Sequence, residues 1–325
     1  MKVFLTGATG FIGSHLTEKL AEEGHEITVL VRKSEDMEDF RRRGINVVNG
    51  DLFSIEKIKE GMEGRDWVFH LAAYAKPTSF DKNLPYKTNV EGTVNILKAA
   101  EECLVEKVVL TSTAGTMGFS IDGLPVNEET NKLKDFHTEY ERTKSLTEKI
   151  AVEHSGRINV SIVNPSRVFG PGKLTKSNSI TRIMKLYGTG VWRIIPGDGS
   201  SIGNYAFIDD VVEGHILAAR HGKSGERYIL GGENVSFSKL FDTLGKAYGI
   251  KRHMIKLSDK NLKRIAELAG GMAAIAGKPP LISDQWIDKY LKNWILSSEK
   301  AGSNLLYHIT PFEEAIQKTV DWLKK

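Results

Sequence analysis

Three sets of residues in this chain could do chemistry together. Tyr140 and Lys144 stand four apart in Glu139-Tyr140-Glu141-Arg142-Thr143-Lys144, so on a helix they share one face about one turn apart. An ammonium placed there favours the phenolate and draws the phenol below its ordinary value of about 10. Tyr140 then becomes an acid or base usable near neutrality. The spacing alone also suits a solvated helix face, and its weight comes from what precedes it. In Thr6-Gly7-Ala8-Thr9-Gly10-Phe11-Ile12-Gly13 the glycines fall three apart. Without Cβ atoms the backbone can turn sharply and approach a pyrophosphate lying at a helix N-terminus. An unliganded strand-to-helix turn would also use glycines, but position at the first such turn of the chain favours the dinucleotide. The third set is Leu110-Thr111-Ser112-Thr113-Ala114-Gly115-Thr116. Closing an apolar strand, it sets hydroxyls where a substrate oxygen could be hydrogen-bonded; the alternative is a Ser/Thr-rich turn that satisfies its own backbone.

The elements that must position these groups read as an alternation of strands and helices. Val3–Thr6 is followed by helical spacing at Ile12, Leu16 and Leu20, and Gly24 ends that helix before the β-branched run 26–31. The pattern continues with a strand at Val47-Val48, a helix over 55–62, a strand over 67–71, a helix over 88–103, a strand over 108–111, a helix over 139–153 and a strand over 160–163. The expected fold class is α/β: a doubly wound parallel Rossmann sheet with a smaller, partly interleaved α/β C-terminal substrate lobe. Residues 1–165 form the dinucleotide-binding domain with 203–232 contributing, and 166–202 and 233–325 form the substrate-binding lobe. The segment 170–198, rich in Gly, Pro, Ser and Thr, reads as loops over a site. Amphipathic helices carrying Trp286, Tyr290, Ile295 and then Ile316, Val320 and Leu323 follow Gly232. The small-residue stretch 265–276 reads as a packed helix or pocket wall.

Selectivity among dinucleotides is set after the second strand, where an acidic residue would bond a ribose hydroxyl and a basic one a 2′-phosphate. Val31 is followed by Arg32 and Lys33, and a guanidinium matches a phosphate well. NADP(H) is therefore preferred, with NAD(H) left open because Glu35 or Asp36 could reach the ribose.

Taken in order, Thr6 to Gly13, Gly50-Asp51-Leu52, His70-Leu71-Ala72-Ala73, Thr88 to Thr93, Thr111 to Thr116, Tyr140 to Lys144 and Asn164-Pro165 resemble the extended short-chain dehydrogenase/reductase superfamily of NAD(P)-dependent epimerases and dehydratases. Ser112 to Thr116 and Val163-Asn164-Pro165-Ser166 resemble its dihydroflavonol-4-reductase-like branch. The resemblance implies that Thr113 holds the Ser/Thr position, Tyr140 is the proton donor and Lys144 orients the nicotinamide ribose. It also implies a cofactor site made of Gly7, Thr9, Gly10, Phe11, Ile12 and Gly13 in the turn, Arg32, Asp51 and Leu52 toward the adenosine, Leu71, Ala72 and Ala73 as a wall, and Asn89, Thr111, Tyr140, Lys144 and Pro165. His70 is a structural residue there, and no metal is expected.

The expected function is reduction of a ketone or aldehyde with NADP(H), Tyr140 supplying the proton and Thr113 polarising the oxygen. A nucleotide-sugar epimerase or dehydratase is the alternative. Such enzymes of the superfamily commonly carry an Arg-Asp pair where this chain has Gly203 and Asn204, although Arg182, Arg193 or Arg227 could substitute. A catalytically silent NADP(H)-binding scaffold ranks third, since such a protein would have lost the Tyr/Lys pair. Met117, Phe119, Phe169, Leu174, Tyr187 and Trp192 are candidate pocket walls. Lys+Arg 45 against Asp+Glu 41 leaves a net charge of +4, with the basic residues scattered, so no nucleic-acid partner is implied. A single cysteine, Cys103, precludes an intrachain disulfide and suits a reducing cytoplasm. Neither a signal peptide nor a membrane-spanning run is expected. The partner is a small carbonyl or alcohol substrate. A homodimer is possible through the helices over 88–103 and 139–153, where Val94, Leu97, Leu146 and Ile150 could meet a second copy or pack on the sheet.

Overall fold

The structure, a computed structural model, describes residues 1–75, 81, 83–130, 136, 138–174, 178–264, 267, 287 and 289–325, the side chain of Glu35 aside. Strands β1 (Lys2–Thr6), β2 (Glu26–Val31), β3 (Asn46–Asn49), β4 (Trp67–His70), β5 (Lys107–Thr111), β6 (Val160–Pro165) and β10 (Arg227–Leu230) form one seven-stranded sheet in the order β10-β6-β5-β4-β1-β2-β3. Every pairing in it is parallel. Parallel strands are covered on both faces and so read as continuous apolar runs; Val3, Phe4 and Leu5 of β1 are all fully buried. One face packs on α1 (Phe11–Glu22) and α8 (Ile208–His221), the other on α3 (Ile55–Met62), α5 (Gly92–Glu102) and α6 (Glu139–His154). The strand order reverses between β1 and β4, which opens a crevice at the carboxyl ends of the strands. The doubly wound class expected from the alternation is the fold found.

Two smaller sheets accompany the large one. β11 (Glu233–Ser236), β9 (Ile202–Phe207) and β7 (Arg167–Phe169) pair in that order, and β12 (Ile255–Leu257) pairs with β8 (Ile194–Pro196). Of the stretch 203–232, α8 and β10 join the large sheet while β9 lies in the small one. The segment 170–198 is not all loop. It contains α7 (Ser179–Gly188), whose Ile180, Ile183, Met184 and Tyr187 are buried at helical spacing; the polar residues around that period obscure it in the sequence. The expected helix over 88–103 is also modified, because Lys87–Glu91 is π-helical before α5 begins. Of the four residues considered for a contact between copies, Leu97 is fully buried and Ile150 packs against the same core. In the C-terminal region, Ile316 and Val320 are buried along the helix Phe312–Leu323. Trp286 and the stretch 265–276, apart from Glu267, lie outside the described residues. Among the described residues no helix is long and apolar enough to cross a membrane.

Candidate active site

The first βα turn separates the roles of its glycines. Gly7 has φ +80°, and a Cβ on it would stand 2.7 Å from the Ala72 nitrogen. A Cβ on Gly13 would stand 2.1 Å from the Gly7 carbonyl oxygen. Both are therefore glycine because the chain packs against itself. Gly10 differs: its Cβ would meet only the Gly7 oxygen, at 3.2 Å, so this glycine leaves open space in front of the helix. Helix α1 starts there with no side-chain cap and no acidic residue in its first turn. The first-turn N–H groups of Phe11, Ile12 and Gly13 have no intrahelical acceptor, and the positive helix end favours an anion. The cradle fits a dinucleotide pyrophosphate through these backbone groups, while the Phe11 side chain is buried, edge-on to His15 at 5.2 Å.

Beyond β2, Arg32 is exposed and close enough to Asp51 to help lower its carboxyl, although the Phe53 N–H is the main cause of that lowering. Asp51 Oδ1 accepts from Phe53 N–H at 2.9 Å and from the Ser54 hydroxyl at 2.9 Å. Leu52 packs under Gly92, where a Cβ would come within 2.7 Å of it. Leu71, Ala72 and Ala73 leave the sheet half-exposed. Pro165 is buried at the end of β6 and pairs with Leu230.

A directional chain of hydrogen bonds holds the strand ends. The Ala72 N–H donates to Thr6 Oγ1 at 3.3 Å, and Thr6 Oγ1 lies 2.7 Å from His70 Nδ1. On the other side His70 Nε2 lies 3.0 Å from Thr93 Oγ1, whose own proton goes to the Asn89 carbonyl at 2.5 Å. Thr93 must therefore accept, which places the imidazole proton on Nε2 and makes Nδ1 the acceptor for Thr6. Burial, with the Lys144 charge adding to it, pushes His70 down to about 3, so it is a neutral structural residue with both nitrogens in use. Asn89 is similarly committed. Its Oδ1 accepts from Tyr74 N–H at 2.6 Å, and its amide donates to the Tyr74 carbonyl at 3.3 Å and Thr143 Oγ1 at 2.9 Å. It ties the loop after β4 to α6 beside Lys144. Thr111 donates to His215 Nε2 at 3.0 Å, since His215 Nδ1 donates to the Val211 carbonyl at 2.7 Å. Its hydroxyl anchors β5 to α8.

The turn carrying Thr113 is clamped along α6. Glu148, which carries no motif in the sequence, is 1% exposed, and its Oε1 accepts from Ser112 Oγ and Thr116 Oγ1, each at 2.6 Å, and from Asn164 Nδ2 at 2.7 Å. Arg227 Nη1 stands 3.6 Å from its Oε2. Two turns earlier Glu141 abuts Gly115, whose Cβ would be 2.9 Å from its Oε1. Tyr140 and Lys144 share the face between these clamps. Thr113 Oγ1 accepts the Gly115 N–H at 3.2 Å, which leaves its hydroxyl proton to donate elsewhere. No hydrogen-bond partner among the described residues meets the Tyr140 phenol or the Lys144 ammonium.

The titration of this pair departs from the expectation. Burial pushes Tyr140 up to about 12, with the Glu141 carboxylate adding to it, and burial draws Lys144 down to about 8 against the opposing pull of Glu148. Loss of hydration penalises the phenolate and the ammonium alike, and this outweighs the attraction inferred from the four-residue spacing.

A cavity of about 40 Å³ is lined by Thr113, Ala114, Gly115, Ser166, Arg167, Asn204, Lys289, Trp294 and Leu296. Of the wall candidates named from sequence, Met117, Phe169 and Tyr187 are core. Trp192 packs against the same core, Leu174 is exposed, and Phe119 meets Trp294 with ring centres 6.2 Å apart. Arg227 and Arg193 serve the scaffold, Arg193 Nε donating to the Gly190 carbonyl at 2.9 Å, and Arg182 is exposed. Arg167, unmarked by any spacing, is the arginine that reaches the cavity.

The family model of the NAD dependent epimerase/dehydratase family matches residues 3–231. Over 99% of its length the chain is 31% identical to a Synechocystis sp. protein with the provisional name dihydroflavonol 4-reductase, 94% of which is covered. The solved structure of gox2253 matches with a TM-score of 0.82 at 30% identity, covering 99% of this chain and 97% of that one. A UDP-glucose 4-epimerase of Thermus thermophilus, solved in complex with NAD, shares the fold at a TM-score of 0.77 and 22% identity, over 100% of this chain and 99% of that one.

Proposed function

The chain belongs to the NAD dependent epimerase/dehydratase family, and on that premise we propose that it is an NADP(H)-dependent oxidoreductase that reduces a ketone or aldehyde. The observation that carries this reading is the contrast on α6. Ser112, Thr116 and the Asn164 amide, which clamp the Thr113 turn, all donate to Glu148, while the heads of Tyr140 and Lys144 have no hydrogen-bond partner among the described residues.

The nicotinamide, when bound, supplies the hydride to the carbonyl carbon. The remaining work belongs to side chains. Thr113, with its oxygen already accepting from Gly115, donates its proton to the substrate oxygen and polarises it. Tyr140, held protonated by burial up to about 12, is in its acid form at neutral pH and passes its proton to that oxygen as the alcohol forms. Lys144, drawn down to about 8, is still mostly charged near pH 7 and offers its ammonium to the ribose hydroxyls. The turn at Gly10 holds the pyrophosphate, and Arg32 receives the adenosine 2′-phosphate, which underlies the preference for NADP(H) over NAD(H).

Reduction is favoured over nucleotide-sugar chemistry by Gly203 and Asn204. Asn204 is fully engaged, with Nδ2 on the Gly232 carbonyl at 2.7 Å and on Asn234 at 2.9 Å and Oδ1 accepting from Gly232 N–H at 2.8 Å. The test is a panel of ketones, aldehydes and nucleotide sugars, following NADPH absorbance and products together. Alcohol formed in step with NADPH consumed is the expected result. Sugar interconversion without net NADPH consumption would replace the reductase reading with the epimerase one.

A further inference from the structure

Arg167 is a charged side chain in an unusual setting. Its guanidinium lies over the ring of Tyr290 at 4.5 Å and near those of Tyr205 at 5.7 Å and Phe237 at 6.0 Å. Both terminal nitrogens are buried and have no hydrogen-bond partner among the described residues. The Ser166 and Tyr205 hydroxyls are buried without a partner as well. Lys289, the other cation on the cavity wall, is paired with Glu141 at 2.8 Å, and no carboxylate among the described residues pairs with the Arg167 guanidinium. A buried cation without a counter-charge is costly, and the facing rings offset only part of that cost.

Gly203 makes the arrangement possible. A Cβ there would stand 2.3 Å from Arg167 Nη1 and 2.9 Å from the Tyr205 ring. The guanidinium, supplied by β7, therefore occupies the space that any side chain at position 203 of β9 would enter. The cavity it shares with Thr113 measures about 40 Å³; a water needs roughly 10–15 Å³ on this scale. It has room for a carboxylate.

We infer that the substrate of the reductase proposed above carries a carboxylate close to its reacting carbonyl, taken by Arg167 with the Ser166 and Tyr205 hydroxyls. Arginine suits this task because its planar fork matches both carboxylate oxygens. With the carboxylate in the cavity, the neighbouring carbonyl falls within the surroundings of Thr113.

Calorimetry on the full-length protein saturated with NADP+ separates this from the reductase reading, because no turnover is needed. The probes are benzoylformate and pyruvate, each against its methyl ester. The acids should bind roughly 100-fold more tightly than the esters, the usual value of a charge-assisted contact. Arg167→Gln should abolish that preference without changing NADPH affinity, and Arg167→Lys should restore part of it. Equal binding of acid and ester by the unaltered protein, tighter ester binding, or no binding of either acid at millimolar concentration overturns the inference, even if Arg167→Gln fails to fold. Acid binding through Arg167 without reduction of any probe would leave the inference standing and sink the reductase reading. Turnover of the esters in preference to the acids would do the reverse.

Discussion

The Glu148 carboxylate and the guanidinium nitrogens of Arg167 are both shielded from solvent beside the turn that carries Thr113, and they differ in how fully their surroundings answer them. Glu148 accepts from Ser112, Thr116 and Asn164 and faces Arg227 at 3.6 Å. Arg167 has aromatic faces around it and no oxygen on either terminal nitrogen among the described residues. A folded chain satisfies its buried polar groups unless something else will. Of these two, Glu148 is scaffold, and the Arg167 fork is left to face a ligand. Removing a group of the first kind should appear in melting, and of the second kind in binding or rate.

The largest effect is expected from the second kind. Tyr140→Phe should lower kcat by about 10²–10⁴, the usual worth of a positioned acid, with NADPH affinity and melting temperature unchanged. A large fall in melting temperature would place Tyr140 with the scaffold and break the comparison. Glu148→Ala should do the opposite. It removes the shared acceptor of Ser112, Thr116 and Asn164 and the charge facing Arg227, and stability measured by denaturant should fall by roughly 3–5 kcal/mol; a change below about 1 kcal/mol would show that saturation does not mark scaffold in this molecule.

His70 and His215 sharpen the comparison through pH. Burial pushes His70 down to about 3 and His215 to about 4, against about 6.5 for an exposed imidazole. Between those values the unfolded chain binds protons that the folded one refuses, so stability is full above about pH 6.5 and falls as the solution is acidified. The melting temperature should drop between about pH 6.5 and pH 4 and the slope should lessen in His215→Asn; a flat profile would show that neither ring is held neutral. The smallest effect is expected at the exposed Arg32. Arg32→Asp should shift the NADPH-to-NADH ratio of KM by about tenfold against NADPH, and an unchanged ratio would remove Arg32 from the cofactor site.

Much of this is legible in the residues. The sheet can be read because parallel strands are written as apolar runs between helical periods, and the turn at Gly7 to Gly13 because its steric demands act over a few neighbours. The site is legible only where its parts are local. Tyr140 and Lys144 share a helix, whereas Arg167 acquires its setting from Gly203, Tyr205, Phe237 and Tyr290, which no spacing connects to it. Glu148 does leave a signal, standing one further turn along the face of Tyr140 and Lys144. The spacing misleads about the titration of that pair because it reports proximity and says nothing about lost hydration.

The outer strand β10 brings Arg227 to Glu148 from far along the chain. During translation the glycine turn and the whole of α6 emerge first, and Glu148 must wait for its counter-charge until β10 leaves the ribosome. A nascent chain can therefore close the hydrogen bonds of Ser112, Thr116 and Asn164 on Glu148 before that carboxylate meets its counter-charge.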